Sequence, residues 1–386
     1  MDSKLDSKFD NIRPLYDEEV EGAIKEILED PGFRNAVNYI IPDVNWDEFA
    51  SEMSKYRTKK EFQTKMIYPV VKALGMRVAS NIKTDKWENI DRSVEHLFLS
   101  NHRDIVLDAG LLNILRHEQG FDTTEIAIGD NLLIHRWIDR LVRINKSFLV
   151  RRGLSIKEKL LASKLMSEYI HYDINKKKES VWIAQREGRA KNSDDRTQDS
   201  LLKMLALYPE DKSFLESLKE LNLIPLSISY EYDPTDYLKA KEFQQKRDNP
   251  DFKKTERDDL LNMEIGILGY KGNVVFRFGK CINPELDKIT EPDKRLQPEL
   301  AAKIIDKEIH ANYEIFPCNY IAHDLYNKEN RFSDKYTDKQ KEDFEAYLEK
   351  QIQKIDLDYI DHDFVLDKML EMYSNTLKNY LIATKS

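Results

Sequence analysis

Between about residue 91 and residue 290 the chain alternates short apolar runs with longer spans of helical periodicity, and this constrains the fold more than any other feature. Strands are expected at 96–100 (HLFLS), 124–129 (TEIAIG), 147–151 (SFLVR), 180–184 (SVWIA) and 223–230 (LIPLSISY), with a hairpin of 264–270 and 273–277 around YKGN. Helical spacing falls at 107–118, 131–143, 155–174, 197–208 and 211–220. Such alternation predicts an α/β domain: a mostly parallel or mixed central sheet flanked by helices. In sheets of this kind, ligand sites gather in the loops beyond the strand ends.

Two helical regions flank this core. In residues 1–90, YDEEVEGAIKEILED (16–30) sets Val20, Ile24 and Ile27 on one face before a DPG stop, and 46–76 reads as two more helices. In residues 291–386, helical patterns return at 297–312, 319–327, 337–354 and 360–383. The run KYTDKQKEDFEAYLEKQIQK is expected to be a solvated helical face. With no low-complexity linker and no repeat between them, the regions 1–90, 91–290 and 291–386 are expected to pack together.

Composition narrows the function. At 41% hydrophobic and 34% charged residues, the 386-residue chain is globular rather than disordered. A net charge of −9 argues against nucleic acid as a partner. Two cysteines, Cys281 and Cys318, exclude a disulfide framework and a cysteine-rich zinc site, and suit a reducing cytosol. The first thirty residues are acidic without an apolar central run, so no signal peptide is expected. The longest apolar patches, such as MIYPVVKALGM (66–76), fall short of the ~18 to 20 residues of a membrane span. The chain is therefore expected to be soluble or peripheral.

The charge is unevenly spread. From Arg136 to Lys159, eight basic residues face two acidic ones, Asp139 and Glu158, a local +6. That patch would suit a phosphorylated ligand or an anionic membrane surface. Within it, NLLIHRWIDRLVR sets Arg136, Arg140 and Arg143 on one stripe beside Leu133, Trp137 and Leu141. Two readings stay open: an interfacial helix, or a helix packed on the core with an exposed basic edge.

The chemistry concentrates in HLFLSNHRDIVLDAGLL (96–112), where a buried strand meets a polar turn and a helix start. His102, Arg103, Asp104 and Asp108 crowd that turn. A histidine beside a carboxylate is the usual way to hold one imidazole tautomer and make it a general base. The other histidines in helical patterns, His117, His171, His310, His323 and His362, read as surface or packed residues.

Four segments in order resemble the motif blocks of the glycerolipid acyltransferases, the glycerol-3-phosphate and lysophosphatidate acyltransferase superfamily. NHRDIVLD resembles the His-x4-Asp block, and KSFLVRR (146–152) the aromatic–aliphatic run ending in arginine. REGRAK (186–191) resembles the Glu-Gly…Arg block, and IPLSISYEY (224–232) the apolar-proline strand. IAIGDNLL (126–133) and VVFRFGKCI (274–282) are smaller echoes, so the likeness spans roughly 90–285. There are departures. His102 and Asp108 are separated by one residue more than in the family, leaving Asp104 as an alternative partner. The third block lacks the threonine or second glycine often found between Gly188 and Arg189. Lys146 stands where a small residue usually opens the second block.

The resemblance implies an O-acyltransferase of phospholipid synthesis working without metal or cofactor. An acyl thioester, on acyl carrier protein or coenzyme A, would be the co-substrate. His102 would take the acceptor's hydroxyl proton and Asp108 would orient the ring. Arg151, Arg152 and Arg189 would hold a phosphate. Gly188 would let the backbone approach the ligand, and Glu187 would orient the arginines or a substrate hydroxyl. Pro225 would shape the pocket, with Arg103, Asn131 and Lys146 as further candidates. The acceptor expected is glycerol 3-phosphate, with 1-acylglycerol 3-phosphate as the close alternative. The rival class is an inactive protein that binds lipid or acyl carrier. The expected location is cytoplasmic, with peripheral contact on the inner face of the cytoplasmic membrane.

Overall fold

The four residues of Leu97–Ser100 are all buried, and a strand apolar on both faces belongs in the middle of a sheet covered on both sides. In the computed structural model, which describes residues 7–385, that strand is β2 of seven. The others are β1 Asn81–Asp85, β3 Glu125–Gly129, β4 Ser147–Val150, β5 Val181–Ala184, β6 Ile224–Tyr230 and β7 Asn273–Phe278. Their order is β1-β7-β6-β2-β5-β3-β4. Every neighbouring pair is parallel except β6–β7. The fold is therefore α/β, a mixed sheet flanked by helices.

Alternation along β2 splits the core into two layers, because successive side chains of a strand point to opposite faces. Leu97 and Leu99 join Phe148, Ile170, Val181, Ile183, Ile305 and Ile309 on one face. Phe98 joins Leu112, Ile126, Trp182, Ile224, Leu226 and Phe276 on the other. Helices Ile156–Tyr172 and Gln297–Ala311 cover the first face, and helix Leu107–Glu118 covers the second. A further apolar cluster joins helix Asp236–Asp248 to helices Pro317–Asn327, Asp338–Ile352 and His362–Thr384.

Several expectations are corrected. Residues 264–270 are not a strand: they end the helix Glu256–Leu268, and β7 pairs with β1 and β6 instead. The helix is set upstream by a capping box in which Thr255 accepts from the Asp258 N–H and Asp258 accepts from the Thr255 N–H. It is closed downstream by Lys271, whose buried ammonium donates to the carbonyls of Gly266 (2.5 Å) and Gly269 (2.8 Å). YKGN is thus a helix stop rather than a hairpin turn. β1, with the polar sequence NIKTD, carries no apolar alternation, yet it lies before residue 90 and forms one edge of the sheet. The span 131–143 holds a short 3-10 turn, Asp130–Leu132, and a helix only from Arg136 to Ile144. Helix Asp236–Asp248 was not anticipated, because its buried face is largely polar: Asp236, Lys239, Glu242 and Gln244. Among the described residues no helix is long and apolar enough to cross a membrane.

Candidate active site

The end of β2 is fastened to β6 by a side chain. Asn101 Nδ2 donates to the Ile228 carbonyl and its Oδ1 accepts from the Ile228 N–H, both at 2.8 Å, so the amide continues the ladder where β2 stops. The backbone then turns, and Asp104 Oδ1 accepts the N–H groups of Val106 (2.9 Å) and Leu107 (2.7 Å). Asp104 thus holds the backbone that enters helix Leu107–Glu118, whose N-cap position is Val106 and which leaves these N–H groups without intrahelical partners.

Asp108 follows in the first turn of that helix, fully buried at the positive end of its dipole. Its Oδ2 accepts from His102 Nδ1 (2.8 Å) and from the N–H groups of Arg103 (2.7 Å) and Asp104 (3.0 Å). Its Oδ1 accepts from the Tyr230 hydroxyl at 3.0 Å. Burial and the facing Asp108 carboxylate push Tyr230 well above its ordinary pKa, so the phenol stays a neutral donor. With Nδ1 donating to a carboxylate, Nε2 is the basic nitrogen of His102. The ring stands edge-on to Trp182, centroids 6.0 Å apart. The longer interval between His102 and Asp108 is therefore accommodated: Asp108 meets the histidine, and Asp104, the alternative, holds the N–H groups of Val106 and Leu107.

Arg103 turns away from the histidine. Its Nη2 lies 2.7 Å from Asp195 Oδ2, which also accepts from the Tyr313 hydroxyl at 2.6 Å. Burial opposes its charge, yet Asp195, Tyr313, Asp233 and Asp108 together raise its pKa above the usual arginine value. Arg103 thus ties the turn after β2 to the loop after β5.

That loop carries Glu187, Gly188 and Arg189. Gly188 has φ +70°, the left-handed region that favours glycine. Arg189 Nη1 donates to Thr235 Oγ1 at 3.3 Å. It approaches the turn after β2 across Gly266. A Cβ on Gly266 would sit 2.8 Å from Asp104 Oδ2 and 4.0 Å from Arg189 Nη1, so the glycine lets helix Glu256–Leu268 pass over the turn. Burial opposes the charge of nearby Asp233, but Lys239 and Arg189 hold its carboxyl far below the usual range.

The remaining candidates divide. Arg152 bridges two loops: its N–H donates to Asp130 Oδ1 (3.0 Å) after β3, and its guanidinium pairs with Glu187 after β5. Its Nε is buried without a partner. Arg151 is exposed, 4.0 Å from Asp130 Oδ2. Asn131 is exposed, its side chain lying with Arg152 Nε against Gly129. Lys146 is a correction. It lies at the amino end of β4, donating to the Thr123 carbonyl (2.8 Å) and Glu179 Oε2 (2.5 Å), with the length of the sheet between it and the turn after β2. Pro225 also falls short of the site, level with Leu99 inside the sheet, its carbonyl accepting from the Gly279 N–H. Ile228 and Tyr230 bring β6 to the site instead. Tyr230, Trp182, Thr235 and Gly266 were not anticipated. The first three lie in or beside motif segments but carry no spacing signal, and Gly266 was hidden by the strand reading.

No protein-family model matches this sequence, and no curated protein matches it. Among solved structures it is similar to the crystal structure of the 1-acyl-sn-glycerophosphate (LPA) acyltransferase, PlsC, from Thermotoga maritima. The identity is 11% and the TM-score 0.36, over 75% of this chain and 94% of that one.

Proposed function

We propose that this chain is a glycerolipid O-acyltransferase, moving a fatty acyl group from a thioester to the hydroxyl of glycerol 3-phosphate. The observation that carries the reading is the His102 Nδ1–Asp108 Oδ2 bond of 2.8 Å at the carboxyl end of β2, which leaves Nε2 as the ring's basic nitrogen. A hydroxyl near neutral pH is a weak nucleophile, so a base must take its proton as the new bond forms. His102 Nε2 takes that proton while the acceptor oxygen attacks the thioester carbonyl. The tetrahedral adduct then collapses, the C–S bond breaks, and the thiolate recovers the proton from the imidazolium. Asp108 stabilises the imidazolium between these steps. Arg189, beside the turn, and Arg152, with its unpartnered Nε, supply guanidinium groups suited to a phosphate.

The acyl donor would be carried on acyl carrier protein or coenzyme A. The close alternative for the acceptor is 1-acylglycerol 3-phosphate. The experiment is incubation of purified protein with each acceptor and each donor type, products resolved by mass. Acylated product is expected, and His102→Ala should lower turnover by roughly 10²- to 10⁴-fold with folding intact. Binding of acceptor or donor without product would instead establish the inactive-binder reading. Unchanged turnover in the His102 variant would remove the general-base mechanism.

A further inference from the structure

The basic stripe of helix Arg136–Ile144 is not a row of free cations. Arg136 and Arg140 both pair with Glu26 of the neighbouring helix Asp17–Leu28. Arg143 pairs with Asp139 and donates to the carbonyls of Asn11 (2.9 Å) and Arg13 (2.8 Å). Trp137 packs on Phe33, ring centroids 5.5 Å apart. The cations that suggested a membrane-facing helix are thus committed to partners on neighbouring segments, although Arg136 itself stays exposed.

The surface that combines aliphatic side chains with free cations lies one strand further on. Helix Ile156–Tyr172 buries its second half, but its first two turns stand out from the protein. Ile156 is 93% exposed, Leu160 53% and Leu161 60%. At 100° per residue, Ile156, Leu160, Lys164, Lys157 and Leu161 fall in sequence around one face of the helix. The adjoining loop exposes Ile134 (48%) and is held to this one by the bond from the Arg152 N–H to Asp130 Oδ1. Between positions 151 and 164 the cations are Arg151, Arg152, Lys157, Lys159 and Lys164, of which Arg151, Arg152 and Lys164 pair with Asp130, Glu187 and Glu210. The one anion there, Glu158, is turned back to accept from the Ser155 N–H and hydroxyl. Lys157 and Lys159 make no ion pair among the described residues.

Large aliphatic groups ringed by lysines match a bilayer surface. The methylenes enter the acyl boundary while the ammonium groups meet lipid phosphates. A second copy would instead bring like charges face to face. We propose that the first two turns of Ile156–Tyr172, with Ile134 beside them, are a docking surface for an anionic lipid bilayer. The surface borders the end of the sheet that carries His102, because the loop leading into it is joined to the Arg189 loop through the Arg152–Glu187 pair. Docking there would bring that end of the sheet against the lipid.

The test uses no substrate, so its failure leaves the acyl-transfer reading standing. Purified protein is sedimented with vesicles of phosphatidylcholine, with and without phosphatidylglycerol, at low and high salt. Wild type should pellet with the anionic vesicles and come off as the Debye length falls below about 10 Å. Joint replacement Ile156→Asp, Leu160→Asp, Leu161→Asp should lower partitioning at least about tenfold with an unchanged circular dichroism spectrum and thermal midpoint, since these groups lie outside the core. Lys157→Ala with Lys159→Ala should blunt the dependence on phosphatidylglycerol and leave the fold intact. Absence of wild-type binding, equal binding to neutral vesicles, or undiminished binding of the aliphatic variant overturns the proposal. So does a solution dimer that the aliphatic variant splits, because a second copy would then cover this face.

Discussion

Two aspartates four residues apart have different tasks, and their hydrogen bonds separate them. Donors reach Asp108 from His102, Tyr230 and two backbone N–H groups, so both its oxygens must accept. In Asp108→Asn an amide NH₂ would have to face one of those donors in a buried site, a mismatch worth about 1 to 3 kcal/mol. The amide also cannot stabilise an imidazolium, so turnover should fall about 10²-fold or more. Asp104 uses Oδ1 to accept two backbone N–H groups at the entry to a helix, and the carbonyl oxygen of asparagine can do the same. Asp104→Asn should therefore keep turnover within a few-fold. Turnover and thermal midpoints of the two variants decide the matter, and the roles are reversed if the Asp104 variant is the inactive one. Sequence made both carboxylates candidates, since spacing alone does not say which of them a turning backbone aims at the histidine. Tyr230, from the neighbouring strand β6 and more than a hundred residues downstream, completes the arrangement and carries no local signal.

The elements that sequence located well are those whose burial is uniform. β2, β5 and β6 are apolar runs buried along nearly their whole length, and the helix Leu107–Glu118 matches its expected bounds. The element read wrongly, 264–270, is a short apolar run whose period fits strand and helix alike. What decides it lies outside the run, in Thr255, Asp258 and Lys271. That helix matters to the site because Gly266 places it against Asp104 and Arg189. The loops beyond the strands then rank the arginines. Arg189 is anchored by Thr235 beside the turn, whereas Arg151 projects into solvent. Losing one charge-assisted phosphate contact costs about 1.5 to 3 kcal/mol, or roughly 10- to 150-fold. Arg189→Ala should therefore raise the KM for the glycerol phosphate by that factor and leave the KM for the acyl donor unchanged. Arg151→Ala should alter neither by more than about two-fold. Steady-state kinetics with each substrate varied in turn would check this, and an unchanged acceptor KM for Arg189→Ala would detach the loop after β5 from the phosphate.

At the scale of the whole molecule, the carboxyl-terminal helices are joined to the α/β core through buried polar groups that no local pattern reveals. Asp236 is the centre of one such joint. It is fully buried and accepts from Tyr347 and Tyr373 (both 2.8 Å), from Gln351 Nε2 (2.6 Å) and from the Tyr237 N–H (2.6 Å). Three of those donors lie 111 to 137 residues downstream, which is why the polar face of helix Asp236–Asp248 escaped a reading based on apolar periodicity. Burial and the neighbouring Asp233 carboxylate push the Asp236 carboxyl up to about 6, although its hydrogen bonds favour the charged form. The folded state therefore binds this proton more tightly than the unfolded chain, whose aspartate titrates near 3.9. The stabilisation is fully present below about pH 4 and is lost as pH rises through 6, up to about 3 kcal/mol in all. An amide cannot ionise, so Asp236→Asn carries a cost that does not change with pH. The margin by which wild type exceeds this variant in thermal stability should consequently shrink between pH 4.5 and pH 7.5, as calorimetry of the two proteins side by side would record. A margin that stays constant, or grows with pH, would show that Asp236 enters the fold already charged and that the joint is an ordinary ionic one.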